Sequence, residues 1–503
     1  MKTSAIIKTA LFLSIITVWG AMMILLIHKE GIIGQDSHRT DMEQLIPDAS
    51  GGDSWQSIYF RDRWIGYVRT TVTHGTERNH IRSFSFLRFR LFNELRNIII
   101  TSDQELDARF RLLAFNAAVS GVTDLRLKGT LMGNQMLIDI SYGASMQKKA
   151  IEVHDDFFID QNILHLIHGK SRKVGDSYSF SIFNPLTLTT EKVIARVVAR
   201  EGDRLLIETS FGGLTAKTWI DSKGVVVREE MQNGWVLMVD SADNVRNRLA
   251  HLDGEAVDIA RELAVVTSRT IENPRTVRYL KIRAGGVNID NFELENARQH
   301  IQDRTKGIVE ITITCPGEHT GVTPPGGEGN LDRFLRPSHL IDSADVSIRK
   351  TALEIVGDEK DRWRASRRIG KWVYEHLEKT MLPDIPVATE ILKNRRGDCN
   401  EHTVLFVALA RAAGIPADLS AGLVYMNDGF YYHAWPKVFV GEWIHIDPTF
   451  GQDIADATHF ELVSGDIAAQ AKIALAMGNI SIDILDAAYE NKNNFCGDSD
   501  SSP

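Results

Sequence analysis

The chain has 503 residues, and 43% of them are hydrophobic, which is enough for two or three domains with separate cores. Its 66 acidic residues outnumber its 57 lysines and arginines, so the net charge is −9. Because nucleic-acid binding needs a basic surface, we exclude nucleic acid as a partner.

The first predicted element is a membrane helix. Residues 9–27 are 19 consecutive uncharged residues, close to the roughly 20 that cross a bilayer as a helix. A cleaved signal peptide is the alternative, but its apolar region is usually shorter, and HKEGIIGQDS contains no small-x-small cleavage site. Two lysines precede the span, whereas Lys29 beyond it is offset by Glu30, which favours a cytoplasmic N-terminus. We therefore expect residues 1–30 to form a single-pass anchor in a bacterial inner membrane, with the rest of the chain in the periplasm.

This predicted location bears on the three cysteines of the chain. In an oxidising compartment Cys315 and Cys496 could form a disulfide, which would leave Cys399 as the free thiol. The sequence alone does not establish that pairing.

A β-rich region follows the predicted anchor. The segments WQSIYF, WIGYVRTTV, LLIETSF, LTAKTWI and VVVREEM alternate with polar turns and show almost no helical period. Such a meander predicts an antiparallel half-barrel-like domain over residues 50–240. The opening IYFRDRWIGYVR loosely resembles the lipoprotein-carrier-like half-barrels of bacterial envelopes, without a shared motif. A lipid or a protein is the expected class of ligand if this domain serves as a binding module.

The rest of the chain divides into three predicted parts. Residues 241–345 contain the strand-like segments VRYLKIRA and GIVEITIT and a loop rich in glycine and proline, so we interpret them as a bridging β-element and linker. Helical periodicity resumes in residues 346–480, which we expect to form an α+β domain. The final residues, 481–503, are predicted to be an acidic tail.

Cys399 is placed at the start of a predicted buried helix. Apolar residues recur at helical spacing through VLFVALARA, and Gly414 and Pro416 follow where a helix would end. Unpaired backbone N–H groups and the positive end of the helix dipole favour an anion at this position, so we expect a bias toward the thiolate. The alternative is that Cys399 is a small buried hydrophobic residue.

Two further residues complete a candidate catalytic set. The predicted strands YYHAWPKVFV and WIHIDPTFGQ carry His433 and Asp447. A thiol nucleophile needs an imidazole to accept and return its proton, and the imidazole needs a carboxylate to fix its tautomer. Cys399, His433 and Asp447 are therefore the predicted catalytic residues, with no cofactor and no metal.

Three blocks in this order carry a family resemblance. GDCNEHTVLFVALARAAGIPADLSAGLVY, YYHAWPKVF and EWIHIDPTF resemble the catalytic core of the transglutaminase-like superfamily over roughly residues 346–465. The resemblance implies a papain-like core, in which a catalytic helix packs on an antiparallel sheet. It also implies that Cys399 is the nucleophile, His433 the general base and acid, and Asp447 the residue that orients the imidazole. Animal transglutaminases carry an oxyanion-binding tryptophan upstream of the cysteine, and this chain has none near residues 385–386.

Neighbouring polar residues have simpler interpretations. His402 forms a Cys-x-x-His pair with Cys399, but no second pair completes a zinc site, so we interpret it as structural or as a residue at the rim of the site. His445 is a possible rival base, for which an exposed surface position is the expected alternative. Asp398 and Glu401 are expected to act only as partners of the helix dipole.

The predicted function is a membrane-anchored cysteine peptidase or amidase that acts on a protein or peptide. Protein crosslinking or another amine transfer by an acyltransferase is the first alternative. A catalytically inactive module that binds a lipid or a protein is the second, because a fold does not prove an activity.

The triad also makes a prediction about strand pairing. Opposed residues of an antiparallel pair share a face, so a two-residue turn at Gly441-Glu442 would put His433 and Asp447 on opposite faces. We therefore predict an irregularity between Pro436 and Trp443, such as a connection with an odd number of residues. A connection over residues 439–441 would set His433 opposite Asp447.

Overall fold

The structure is a computed structural model of the chain. It describes residues 53–121, 125–142, 145–153, 157–158, 173–184, 189–211, 214–222, 225–231, 233–251, 256–316, 331–338, 340–380, 387–465 and 472–489. The predicted anchor and Cys496, with its predicted disulfide to Cys315, lie outside these residues. No helix within the described ranges is long and apolar enough to cross a membrane.

The chain forms two compact units, which for the described residues are 53–262 and 263–489. One 15-stranded sheet dominates the first unit, in the order β8-β7-β6-β5-β4-β3-β2-β1-β15-β14-β13-β12-β11-β10-β9. Its strands are β1 Asp53–Phe60, β2 Arg63–His74, β3 Arg78–Leu91, β4 Glu94–Asp107, β5 Leu112–Ser120, β6 Leu125–Met132, β7 Gln135–Tyr142, β8 Ser145–Glu152, β9 Phe157–Phe158, β10 Ser177–Asn184, β11 Thr189–Glu201, β12 Arg204–Phe211, β13 Leu214–Ile220, β14 Val226–Met231 and β15 Trp235–Asp240. Neighbouring strands are antiparallel except β9 and β10, and the predicted large antiparallel β-domain is confirmed.

Side chains alternate between the two faces of this sheet, as a pleated strand requires. One face is continuously buried across adjacent strands, for example at the paired residues Val68 and Ser85. The other face is covered in part by helix α1 (Ala242–Ala250), whose Val245 and Leu249 pack with Trp55. Helix α2 (Ile259–Leu263) follows where the chain passes from this unit to the next.

The second unit combines helices with three small sheets. Its helices are α3 Val346–Val356, α4 Arg362–His376, α5 Ala388–Asn394, α6 Cys399–Ala412 and α7 Ile473–Ala476. Its strands are β16 Val265–Val266, β17 Tyr279–Gly285, β18 Gln299–Thr305, β19 Ile308–Thr314, β20 Glu378–Lys379, β21 Arg396–Gly397, β22 Ala417–Met426, β23 Gly429–Phe439, β24 Trp443–His445, β25 His459–Ser464 and β26 Ser481–Ala488.

The three sheets have simple topologies. The first has the order β16-β23-β22-β25, with β24 paired to β23. The second has the order β18-β19-β17-β26, and the third contains only β20 and β21. Strands β17 and β19 confirm the two strands predicted in this region. Strand β26 corrects the sequence analysis, because Ser481–Ala488 was assigned to an acidic tail and instead pairs with β17.

Helix α6 is the core element of this unit. Its residues from Cys399 to Ala410 are all buried, and it packs against α3, α4 and α5 on one side and against β23 on the other. A helix that is apolar all round can be stable only in such a core. The helix begins and ends as predicted, with Asp398 as N-cap residue and Ala413 as C-cap residue. The predicted packing of the Cys399 helix on an antiparallel sheet is therefore confirmed.

A glycine allows close approach of two strands beside the candidate site. Gly422 of β22 pairs with His433 on one side and with Glu461 of β25 on the other. A Cβ atom at Gly422 would lie 2.0 Å from the carbonyl oxygen of Phe460. The absence of a side chain therefore lets β25 lie against β22 in its observed register.

The connection between β23 and β24 has the predicted odd length. Phe439 pairs with Trp443, so residues 440–442 form a three-residue turn, in which Gly441 has a positive φ of 103°. The connection begins one residue later than the 439–441 example. Continued past β24, this register would place Asp447 opposite Trp435, on the same face as His433. The predicted irregularity is therefore confirmed.

Candidate active site

The start of helix α6 positions Cys399. A capping box holds this turn, in which Asn400 N donates to Asp398 Oδ1 at 2.8 Å and Asp398 N donates to Glu401 Oε2 at 2.7 Å. Cys399 itself is only 1% exposed. It packs in a small apolar cluster whose other members are Val424 and Ala434, with Met426 and Phe450 at its edge.

His433 and Asp447 are in direct contact, as predicted. His433 Nε2 lies 2.7 Å from Asp447 Oδ2, and both side chains are fully buried. The other oxygen, Oδ1, accepts the backbone N–H groups of Thr449 at 2.7 Å and Phe450 at 3.1 Å. These donors fix the carboxylate plane and present one oxygen to the imidazole.

A second histidine shares that oxygen. His459 Nε2 lies 2.9 Å from Asp447 Oδ2, so the carboxylate has four hydrogen-bonding partners. The sequence analysis missed His459, which lies in the segment ATHFELV at the first residue of β25. Only the pairing of β25 with β22 brings it to Asp447, and no local pattern indicates that long-range contact.

Burial opposes ionisation of Asp447, but the charges and hydrogen bonds of His433 and His459 hold the pKa of its carboxyl group well below the usual value. An ionised carboxylate only accepts hydrogen bonds, so His433 carries its proton on Nε2. Its Nδ1 atom is buried and has no hydrogen-bond partner among the described residues. In the neutral ring Nδ1 therefore has a free lone pair that can accept a proton.

The electrostatics at Cys399 differ from the expectation. Burial raises the pKa of the thiol well above its ordinary value, and the negative charge of Asp398 adds to this. Glu401 and Asp447 act in the same direction, while a hydrogen bond from the backbone of Ala434 opposes them. The predicted bias toward the thiolate is therefore wrong for this conformation, because burial and the negative charge of Asp398 favour the neutral thiol.

The imidazole of His433 is neutral as well. Burial lowers the pKa of His433, Asp447 opposes this shift, and the charges of His459 and Arg275 add to it, so that the pKa lies below its ordinary value. The resting site thus holds a neutral thiol and a neutral imidazole. In this state a nucleophile forms only when the thiol proton moves to the imidazole during reaction.

Two other buried histidines near the site form hydrogen bonds to residues other than Asp447. His402 is fully buried, and its Nδ1 atom donates to the carbonyl oxygen of Asp398 at 2.7 Å. His445 is also buried, and its Nδ1 atom accepts the indole N–H of Trp435 at 2.8 Å. The expectation that His445 is exposed is therefore wrong, and its Nδ1 atom is paired with Trp435, whereas Asp447 is paired with His433.

The ligand atoms of His433, Asp447 and His459 all lie within 4.8 Å of one another, which is the spacing of a candidate metal site. A tetrahedral zinc ion with bonds of about 2.0–2.1 Å would hold its ligand atoms about 3.3 Å apart. The observed nitrogen to oxygen distances are 2.7 and 2.9 Å, and each histidine nitrogen points at the same oxygen. This geometry fits two hydrogen bonds better than metal ligation.

We expect the stability of the protein to fall as the pH decreases from about 6.5 to 4, in part through His402. Burial lowers the pKa of His402 to about 4 in the folded chain, whereas an unfolded histidine titrates near 6.5. Between these values only the unfolded state takes up the proton, so lower pH favours unfolding, by about 3 kcal/mol when complete. Thermal unfolding of His402→Leu should show a shallower pH dependence than the unmodified chain in this range. An equal slope for both would contradict this assignment.

A comparison with known proteins finds a family whose sequence model covers the three predicted catalytic residues of this site. Residues 349–448 match the sequence model of the transglutaminase-like superfamily, and this range contains Cys399, His433 and Asp447. That part of the chain belongs to the transglutaminase-like superfamily. Its core therefore has the fold of a superfamily of thiol enzymes. No curated protein matches the chain.

Several solved structures show limited similarity to parts of the chain. A protein from Cytophaga hutchinsonii, described as a proposed cysteine protease, is 20% identical over 42% of this chain and 84% of its own, with a TM-score of 0.28. A β-barrel-like protein of unknown function from Brucella abortus is 11% identical over 37% of this chain and 94% of its own, with a TM-score of 0.29. A proposed protease from Parabacteroides distasonis is 10% identical over 73% of this chain and 63% of its own, with a TM-score of 0.19. Since each TM-score is below 0.5, these similarities carry no argument about activity.

Proposed function

We propose that the protein is a cysteine peptidase or amidase that forms a thioester at Cys399 and transfers the acyl group to water. The observation that supports this most is the hydrogen bond of 2.7 Å between His433 and Asp447, which leaves His433 Nδ1 free to accept a proton. The thiol of Cys399 lies near this histidine–aspartate pair, since it interacts with the backbone of Ala434 and with the charge of Asp447.

The proposed reaction has two halves. In the first, the Cys399 thiol gives its proton to His433 Nδ1, and the sulfur attacks the carbonyl carbon of the amide. His433 then returns the proton to the leaving amine as the carbon–nitrogen bond breaks, which leaves a thioester. In the second half, water gives a proton to His433 Nδ1 as its oxygen attacks the thioester carbon. The carbon–sulfur bond then breaks to release the acid, and His433 returns the proton to the sulfur, which restores the thiol.

Asp447 acts on the imidazole rather than on the substrate. Its carboxylate keeps the Nε2 proton in place and stabilises the imidazolium ion that forms in each half of the reaction. The backbone N–H of Cys399 at the helix start is the proposed donor to the oxyanion. Residues 385–386, where the sequence lacks the tryptophan of animal transglutaminases, lie outside the described residues.

The proposal includes a location and a substrate class. We infer a single-pass inner-membrane protein with a cytoplasmic N-terminus, because residues 9–27 are uncharged and preceded by lysines. The catalytic domain would then meet protein or peptide substrates in the periplasm. The large β-domain would bind a lipid or a protein.

A fluorescent amine tests the choice between water and an amine as acceptor. The full-length chain in detergent is incubated with envelope proteins and the amine, and Cys399→Ala is treated in parallel. We expect new cleavage products that depend on Cys399 and no amine incorporation. Amine incorporation without cleavage would replace the hydrolase proposal by the crosslinking or transferase alternative.

The burial of Cys399 favours a second candidate, a non-catalytic binding module. An activated ester such as p-nitrophenyl acetate separates the two candidates, since it acylates a competent thiol without specific recognition. A covalent acetyl adduct at Cys399, detected by mass spectrometry, is expected for the enzyme and would exclude the inactive module.

A further inference from the structure

We propose that His459 is a positioning residue of the active site, which anchors Asp447 and sets how strongly that carboxylate holds the proton of His433. This inference rests on the proposed function, and it adds a fourth residue to the predicted set. Asp447 Oδ2 is shared by His433 Nε2 at 2.7 Å and His459 Nε2 at 2.9 Å.

His459 is held on both sides of its ring. Its Nδ1 atom faces Asp456, with the backbone oxygen at 3.2 Å and the carboxylate Oδ1 at 3.4 Å. Asp456 is anchored in turn by Arg275 at 3.0 Å and by the side-chain amide of Gln452 at 3.0 Å. The hydrogen-bond network therefore continues beyond Asp447 to the partly buried ion pair of Asp456 and Arg275.

Aromatic packing restricts the same ring. Trp435 packs against His459 with its ring centroid 5.1 Å away and an interplanar angle of 80°. The centroid of His433 lies 5.6 Å from that of His459, and Phe450 completes the contact at 6.3 Å. A ring enclosed in this way cannot turn its Nε2 atom away from Asp447 without displacing its neighbours.

Sharing one oxygen has a chemical consequence. Each N–H donor stabilises the negative charge on Oδ2, so the donor from His459 weakens the attraction of that oxygen for the proton on His433. Without His459, Asp447 would stabilise the imidazolium form of His433 more strongly and the pKa of His433 would rise. The charge of His459 also lowers the pKa of His433, so its removal would add to the rise. The titratable and charged groups that interact with His433 or with its carboxylate are Asp447, His459, Arg275, His402 and Cys399.

The test compares two substitutions of His459 in the full-length chain. His459→Phe keeps a planar ring but removes both nitrogens, whereas His459→Gln retains an N–H donor that can reach Asp447. The rate of iodoacetamide alkylation at Cys399 is measured against pH by mass spectrometry of the Cys399 peptide. His433→Ala serves as the control that removes the imidazole from the profile.

We expect His459→Phe to shift the acid limb of the profile, where the alkylation rate rises as His433 loses its proton, upward by about one pH unit. His459→Gln should restore most of the original profile. An unshifted profile for His459→Phe, or equal shifts for the two variants, would overturn the proposal. If His459→Phe does not fold, His459→Asn replaces it, because its shorter side chain cannot reach Asp447.

Alkylation needs no substrate, which separates this inference from the proposed function. Failure of the activated ester to acylate Cys399 would reject the enzyme proposal but would leave the pH profile measurable. A normal ester reaction combined with an unshifted profile in His459→Phe would reject only the role of His459.

Discussion

Replacing Cys399 with alanine is expected to abolish acylation of the protein by p-nitrophenyl acetate, with a rate loss of roughly 10⁴-fold or more. The reason is that Cys399 is the thiol placed at the start of α6 beside the buried pair of His433 and Asp447. No thioester can form without its sulfur. The initial release of p-nitrophenol and the mass of the intact protein measure this loss.

Cys315→Ala provides the matched control for this experiment. Cys315 is also a buried cysteine, but its sulfur contacts Arg278 and it is not a member of the cluster formed by Cys399, Val424 and Ala434. We expect this variant to retain the acylation rate of the unmodified chain. Equal losses in both variants, or full activity in Cys399→Ala, would contradict the assignment of the nucleophile.

Asp447→Asn is expected to lower the acylation rate by about 10³- to 10⁴-fold. An amide removes the charge that stabilises the imidazolium form of His433, and its N–H₂ group cannot accept the Nε2 proton. The ring then favours the tautomer with the proton on Nδ1, the atom that must accept the proton of the thiol. The acylation rate of the variant is measured with the same ester, together with its thermal unfolding midpoint.

Asp456→Asn is the corresponding control, because Asp456 is another buried carboxylate of the same network. It contacts His459 but makes no hydrogen bond to His433 among those of the described residues. We expect Asp456→Asn to retain far more activity than Asp447→Asn. Similar losses in two equally stable variants would show that the network acts as a unit rather than through Asp447.

The sequence predicts the parts of this fold that depend on local patterns. Apolar periodicity followed by Gly414 defines helix α6, and the alternation of residues in a strand requires the odd connection before Trp443. The segments that became β17 and β19 were recognised for the same reason. Strand β26 was missed, because its pairing with β17 joins parts of the chain about 200 residues apart, and no local pattern carries that information.

In the candidate site, too, local sequence patterns predicted some residues and missed one that depends on long-range strand pairing. Residue types and their order indicate Cys399, His433 and Asp447, and the structure brings the last two into contact. His459 could not be found in this way, since a single histidine before a strand is common and its role depends on the pairing of β25. The raised pKa of Cys399 was missed because Asp398 and Glu401 were considered only as partners of the helix dipole, while desolvation depends on burial in three dimensions.

The enclosure of the reactive groups has a kinetic consequence. Cys399 is 1% exposed, and the side chains of His433 and Asp447 are fully buried, so a substrate carbonyl cannot reach the sulfur in this conformation. Reaction requires a more open conformation, and the observed substrate affinity is then the intrinsic affinity multiplied by the fraction of molecules that are open. An open population of about 1% would weaken the observed affinity about a hundredfold. Substrate selection can therefore occur at the opening step, because a molecule that does not stabilise the open form never meets the thiol.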